Sequence, residues 1–166
     1  NSSYPPDAPY EIEDPEISKA IYSTLSGAPH FYRIQSAEDF DFYSGILAAK
    51  IGDCPLESKF SFEVLDSDFH LLYLADGENF VWSPWYEEYG KQWYWNGPEI
   101  GQNFASNKVF KAGTYYIKVF NDTNTGQYIL AVGDIEKFSV TDIVGLFFSM
   151  GKIENEFWES KQCNSV

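Results

Sequence analysis

Between Glu78 and Gly101 the chain reads ENFVWSPWYEEYGKQWYWNGPEIG, which gathers Trp82, Trp85, Tyr86, Tyr89, Trp93, Tyr94 and Trp95 into one stretch. Flat apolar rings flanked by Asn79, Gln92, Asn96 and Glu99 suit stacking on sugar rings and hydrogen bonding to their hydroxyls. That chemistry binds without breaking bonds. Trp85, Tyr86, Tyr89 and Trp93 are the candidate ligand-binding residues; Trp82 and Trp95 adjoin apolar runs and are expected to pack inward. The bland alternative is a structural cover, in which the rings pin a long insertion without regular structure over the end or face of a core. A fully buried ring contributes about 1.5–3 kcal/mol, so this set exceeds what such a loop needs, and mixed use is expected. Carboxylates supply a second chemistry. Asp66, Asp68, Asp76 and Glu78 surround turns where oxygen ligands for calcium could converge. No EF-hand loop pattern accompanies them, and Asp66 and Asp68 read equally well as turn formers.

Catalysis has less to build on. Glu87 and Glu88 lie beside the rings, as paired carboxylates for glycoside hydrolysis would, but acidic residues are abundant along the whole chain. There is no Gly-x-Ser-x-Gly elbow, no His-Glu-x-x-His helix and no phosphate-binding glycine loop. His30 and His70 stand apart on strand-like segments. The residues therefore indicate no enzyme, with glycoside hydrolysis kept as an alternative.

The elements that must position these groups read as strands. SKAIYSTLSG and HFYRIQSA flank the turn residues Gly27, Ala28 and Pro29, and FDFYSGILAAKIG follows. KFSFEVLD and FHLLYLAD meet at Asp66-Ser67-Asp68 as a hairpin, and Phe60, Phe62 and Val64 alternate with Ser61 and Glu63. NKVFKAGTYYIKVF and GQYILAVG flank the turn formers from Asn121 to Gly126 and read as the clearest hairpin. About seven strands with no helix between them predict an antiparallel sandwich. Near the end, Ser139 and Asp142 form a capping-box pattern, and Ile143, Leu146, Phe147, Met150, Ile153 and Phe157 recur at helical spacing. A short amphipathic helix is expected there. It either packs on the sandwich or forms a stalk toward a membrane anchor beyond this sequence, while Glu154, Glu156 and Glu159 oppose direct insertion into an anionic membrane.

Length and charge narrow the classes. The 166 residues, 44% hydrophobic, suit one domain with one core. A net charge of -14 argues against nucleic acid, which demands a Lys/Arg surface. Aromatic residues make up 19% of the chain, too many for a disordered acidic segment. The polar, proline-rich NSSYPPDAPYEIEDPE resembles the start of an exported chain. Cys54 and Cys163 are compatible with a disulfide or with two thiols, and Asn1 and Asn121 head glycosylation tripeptides.

Ala112-Gly113-Thr114-Tyr115-Tyr116-Ile117-Lys118-Val119, followed by Gly126-Gln127-Tyr128-Ile129-Leu130-Ala131-Val132, resembles the closing strands of pre-peptidase C-terminal-like domains. Phe62-Glu63-Val64-Leu65-Asp66 is similar to the central strand of that family. The likeness covers roughly residues 18 to 133 and implies a secreted, non-catalytic sandwich of jelly-roll type. It departs from the family at Pro29 and His30, where an acidic residue commonly stands, and in the length of the aromatic insertion. The resulting expectation is an all-β, antiparallel jelly-roll-like β-sandwich. An extended lead spans 1–17, the sandwich 18–138 with the insertion at 78–101, and the helix and tail 139–166. The expected role is an extracytoplasmic binding module for carbohydrate or an extracellular protein, with a structural spacer or a calcium-dependent accessory domain as alternatives.

Overall fold

A computed structural model describes residues 3–101 and 108–135. In chain order the strands are β1 (Tyr10–Ile12), β2 (Lys19–Ser26), β3 (His30–Ser36), β4 (Phe40–Phe42), β5 (Ser44–Ala49) and β6 (Ser61–Leu65). They continue as β7 (Leu71–Ala75), β8 (Ser83–Glu87), β9 (Gln92–Ile100), β10 (Lys108–Phe110), β11 (Gly113–Phe120) and β12 (Thr125–Val132). One five-stranded sheet has the order β1-β3-β11-β6-β7, a second has β2-β12-β5-β9-β8, and β4 pairs with β10 in a short ribbon. All pairings are antiparallel except β1 with β3.

Period-two alternation builds the core. Ile34, Phe62, Val64, Ile117 and Val119 from the first sheet meet Ile46, Tyr128, Leu130 and Val132 from the second in one buried cluster. The ribbon contributes Phe40, Phe42 and Phe110, with the rings of Phe42 and Phe110 stacked 4.6 Å apart. These residues make the chain an all-β sandwich, and no helix occurs among the described residues. The amphipathic helix expected near the C-terminus lies outside them. Part of the proline-rich lead joins the sheet, since β1 lies beside β3 with Tyr10 opposite Tyr32.

One local expectation is corrected. The segments flanking Asn121 to Gly126 do not pair with each other: β11 belongs to the first sheet and β12 to the second, so the connection arches across the core. The segments flanking Gly27 do the same, with β2 and β3 in opposite sheets. The two arches lie side by side, the Gly27 amide donating to the Asn124 carbonyl at 2.7 Å. Asn124 and Gly126 both take positive φ in this arch, which turn-forming residue types satisfy in a hairpin and in an arch alike. The hairpin at Asp66-Ser67-Asp68, by contrast, joins the paired strands β6 and β7.

The aromatic stretch is also regular rather than irregular. β8 and β9 form a hairpin, and β9 pairs with β5, so the stretch widens the second sheet by two strands. Its prolines sit where strands tolerate them. Pro84 is on the edge strand β8, and Pro98 falls where the β5–β9 register shifts by one residue.

Candidate functional site

The hairpin distributes its rings over two faces. Trp85 lies opposite Tyr94 and Tyr86 opposite Trp93, and successive residues of a strand point to opposite sides. Tyr86 and Trp93 therefore share one face, their ring centroids 5.2 Å apart. Trp85 stands on the other face with Tyr94, 5.6 Å away. Tyr89 occupies the turn and is 80% exposed, whereas Trp85, Tyr86 and Trp93 are 42%, 40% and 48% exposed. The four candidate binding residues are all accessible, but they do not form one plane.

The face carrying Tyr86 and Trp93 continues toward the core. Trp95, two residues along β9, packs against the buried cluster and lies opposite Ala48. Lys50, just past the end of β5, holds its Nζ 5.9 Å from the Trp93 ring centroid and 5.6 Å from that of Trp95. A cation at that distance is attracted by the ring quadrupole. Lys50 belongs to this site although the sequence reading passed it over; its period-two relation to Ile46 and Ala48 was the available signal. Half-exposed rings beside an ammonium donor offer both stacking and hydrogen bonding to a polyhydroxylated ligand.

Glu87 shapes the tip. Its carboxylate accepts hydrogen bonds from the Tyr89 amide at 2.9 Å and from the Gly90 amide, and Lys91 completes the turn at a φ of 53°. Both oxygens of Glu87 thus serve the turn.

Trp82 anchors the root. It is buried, and its indole Nε1 donates to the Gly77 carbonyl at 2.9 Å. Two glycines clear its slot: a Cβ on Gly97 would lie 2.4 Å from Trp82 Cη2, and one on Gly77 would lie 1.8 Å from the Phe60 carbonyl oxygen. Trp82 and Trp95 accordingly face the core.

The acidic candidates separate into two groups at opposite ends of β7. Asp66 and Asp68 lie in the β6–β7 turn with His70, and these three can bring ligand atoms within 4.8 Å of one another. Asp76 and Glu78 follow the other end of the strand. Asp66 Oδ1 accepts from the amides of Asp68 and His70, both at 2.9 Å. The His70 amide leads in holding the Asp66 carboxyl below its usual range, aided by that of Asp68. Asp76 accepts from the Asn79 side chain at 2.6 Å and the Glu78 amide at 3.0 Å, and its carboxyl is likewise lowered, chiefly by Asn79. Both aspartates act as turn acceptors. Two carboxylates and an imidazole also resemble a transition-metal donor set more than the all-oxygen set of calcium.

The remaining polar features serve the fold. A concavity beside Ala49, Cys54, Leu56, Phe60 and Gly126 holds about 50 Å³, far below the several hundred Å³ of an ordinary small-molecule pocket. Cys54 is buried and disulfide-bonded, and the sequence holds one other cysteine, Cys163, outside the described residues. Asn121 is buried with its side-chain amide donating to the Thr125 carbonyl at 2.6 Å, which engages the glycosylation tripeptide in the β11–β12 arch. His30 is also buried, its Nδ1 2.7 Å from the Tyr128 hydroxyl, which in turn contacts the Tyr32 hydroxyl.

No protein-family model and no curated protein matches the sequence. Among solved structures the chain is similar to the pre-peptidase C-terminal domain of a collagenase from Bacillus anthracis. That likeness has a TM-score of 0.45 and 13% identity, covering 78% of this chain and 96% of that one.

Proposed function

We propose that this chain is a non-catalytic, extracytoplasmic binding module that engages carbohydrate through the β8–β9 hairpin. The observation that carries this reading is the face on which Tyr86 and Trp93 stand half-exposed beside the Lys50 ammonium. A regular hairpin rooted by Trp82 presents these rings with little conformational entropy left to lose on binding. The disulfide at Cys54 supports an oxidising compartment. Engagement of both Glu87 oxygens in the turn argues against that residue as a hydrolytic acid.

The test is affinity electrophoresis and calorimetry with soluble β-glucan, xylan and mannan, on the wild type and on Tyr86→Ala and Trp93→Ala. Retention by one polysaccharide, lost in both variants with the unfolding midpoint little changed, is the expected result. Failure of the wild type to bind all three, and a cell-wall extract as well, would replace this reading with a structural spacer. That second reading draws on the inward packing of Trp82 and Trp95 and predicts that the hairpin matters for stability alone.

A further inference from the structure

Among the described residues, four strands lie at the edges of the two large sheets, β1 and β7 in the first and β2 and β8 in the second. An edge strand offers backbone N–H and C=O groups to any extended chain that comes alongside, and proteins usually blunt it with brevity, charge or proline. Three of these edges follow that rule. β1 has three residues and carries Glu11, β2 carries Lys19, and β8 carries Pro84 and Glu87. β7 does not, for its five residues, Leu71–Ala75, include no charge and no proline. Tyr73 and Ala75 lie opposite Val64 and Phe62 and turn toward the core, so Leu72 and Leu74 alternate onto the outer face. Leu71, Leu72 and Leu74 are 56%, 41% and 51% exposed. The apolar surface continues across the sheet: Leu71 lies opposite Leu65, Leu65 opposite Tyr116, and Phe69 stacks on Tyr116 at 4.4 Å. Phe69 holds that position at a φ of 63°, a conformation uncommon for a residue with a large side chain.

We propose that β7 is a docking edge for an extended segment of another protein, an apolar strand with basic residues at both ends, which adds to the first sheet beyond β7. The charges around the edge select this occupant. Asp66 and Asp68 stand in the turn before β7, Asp76 and Glu78 follow it, and Glu63 lies beside Leu74 on β6. Against these five carboxylates stand two ammonium groups, Lys59, whose Nζ reaches the Glu78 carbonyl at 3.5 Å, and Lys118, opposite Glu63. His70 is already beside Asp66, its Nδ1 3.5 Å from Oδ2. A second copy of this chain, added antiparallel, would set the Asp66–Asp68 turn of one molecule toward the Asp76–Glu78 turn of the other and join two chains of net charge -14, so charge opposes it. Lysine or arginine at both ends of an apolar strand instead meets both acidic turns at once. Backbone pairing supplies the hold, and Leu72 and Leu74 receive the added strand's outward side chains as cross-strand neighbours. β7 belongs to the first sheet, whereas Tyr86 and Trp93 belong to the second, so this edge is tested independently of carbohydrate binding.

The experiment is fluorescence anisotropy on the full chain with a labelled peptide of alternating valine and threonine that carries a pair of lysines at each end. Saturable binding is expected, weakening as salt is raised. Affinity should fall at least tenfold when glutamates replace the lysines, when alternate backbone amides of the peptide are N-methylated, and in the variant Leu74→Lys. If that variant fails to fold, amide chemical shifts of the isotope-labelled wild type decide instead, and peptide-induced changes centred on Leu71–Ala75 are expected. Absence of binding at millimolar peptide would overturn the proposal. So would equal affinity for the glutamate-flanked or N-methylated peptide, or shift changes centred on another strand. Sedimentation that shows a dimer of the chain alone, with shift changes at Leu71–Ala75 on dilution, would make the edge a contact between copies and overturn it as well.

Discussion

Replacing Trp82 with alanine should be among the most destabilising single changes in the aromatic stretch, and replacing Trp93 a much milder one. An indole buries about 150–250 Å², which at ~25 cal/mol per Å² corresponds to roughly 4–6 kcal/mol for complete burial. Trp82 is 8% exposed and Trp93 48% exposed, so Trp93 forfeits close to half as much. The slot around Trp82 is bounded by the backbone of Gly77 and Gly97, held in place by β-sheet pairing and by the Ser61 hydroxyl, which accepts from the Gly77 amide at 2.9 Å. Such walls cannot collapse into the cavity, which places Trp82→Ala toward the upper part of the ~3–5 kcal/mol usual for large aromatic truncations. The Gly77 carbonyl also loses its indole donor, about 1 kcal/mol more. For Trp93→Ala about 2–3 kcal/mol is expected. Urea unfolding followed by far-ultraviolet circular dichroism measures both, provided the slope of the transition is unchanged. Equal costs for the two substitutions would refute the assignment of Trp82 as anchor and Trp93 as presented ring.

Gly97→Ala should cost about 1–3 kcal/mol or more, because the new methyl meets Trp82 and the Ile46 carbonyl at 2.6 Å or less; an unchanged urea midpoint would show that the slot can widen. The carboxyls of Asp39, Asp66 and Asp76 are held low by the Ala112 amide, the His70 amide and the Asn79 side chain, respectively, as their leading causes. Their contribution is present above the ordinary carboxylate range and disappears as pH falls through the lowered folded values, so the thermal midpoint should drop below about pH 4. Asp66→Asn should flatten that acid limb; an unaltered profile would contradict its role. Burial pushes the Tyr32 and Tyr128 hydroxyls up, so both stay neutral in the folded chain after unfolded tyrosines ionise near pH ~10. Stability should decline as pH rises beyond that point, and less steeply in Tyr128→Phe. At neutral pH the same variant should cost about 1–3 kcal/mol, because His30 loses the hydroxyl at 2.7 Å.

The strands were legible because their residues alternate: Phe60, Phe62 and Val64 enter the core while Glu63 between them stays half-buried, although Ser61 on the same side is buried as well. Which strand pairs with which was not. The residues from Asn121 to Gly126 have the chemistry of a tight turn, but pairing is decided by β2 and β5, which flank β12 and are remote in sequence. Pro84 and Pro98 hid the β8–β9 hairpin, since an edge position and a bulge, which excuse a proline, are properties of the assembled sheet. The aromatic site was found by composition, whereas its division into two faces required the register of Trp85 opposite Tyr94 and Tyr86 opposite Trp93. Lys50 was missed because its partners Trp93 and Trp95 come from across the sheet.

The alternation of strands between sheets sets the order in which the chain can fold. Only β6 with β7 and β8 with β9 are neighbours both in sequence and in a sheet. Apart from β1 with β3, every other pairing waits for a distant partner, and β12, the last strand described, separates β2 from β5. Lys19 finds its place opposite Val132 only after nearly the whole domain has been synthesised. A topology so rich in non-local contacts folds on the millisecond-to-second scale of β-sandwiches, and a chain released before β12 has a second sheet without its middle. Two early hairpins, one bearing the turn aspartates and the other the aromatic face, would then stand ready before the body that holds them exists.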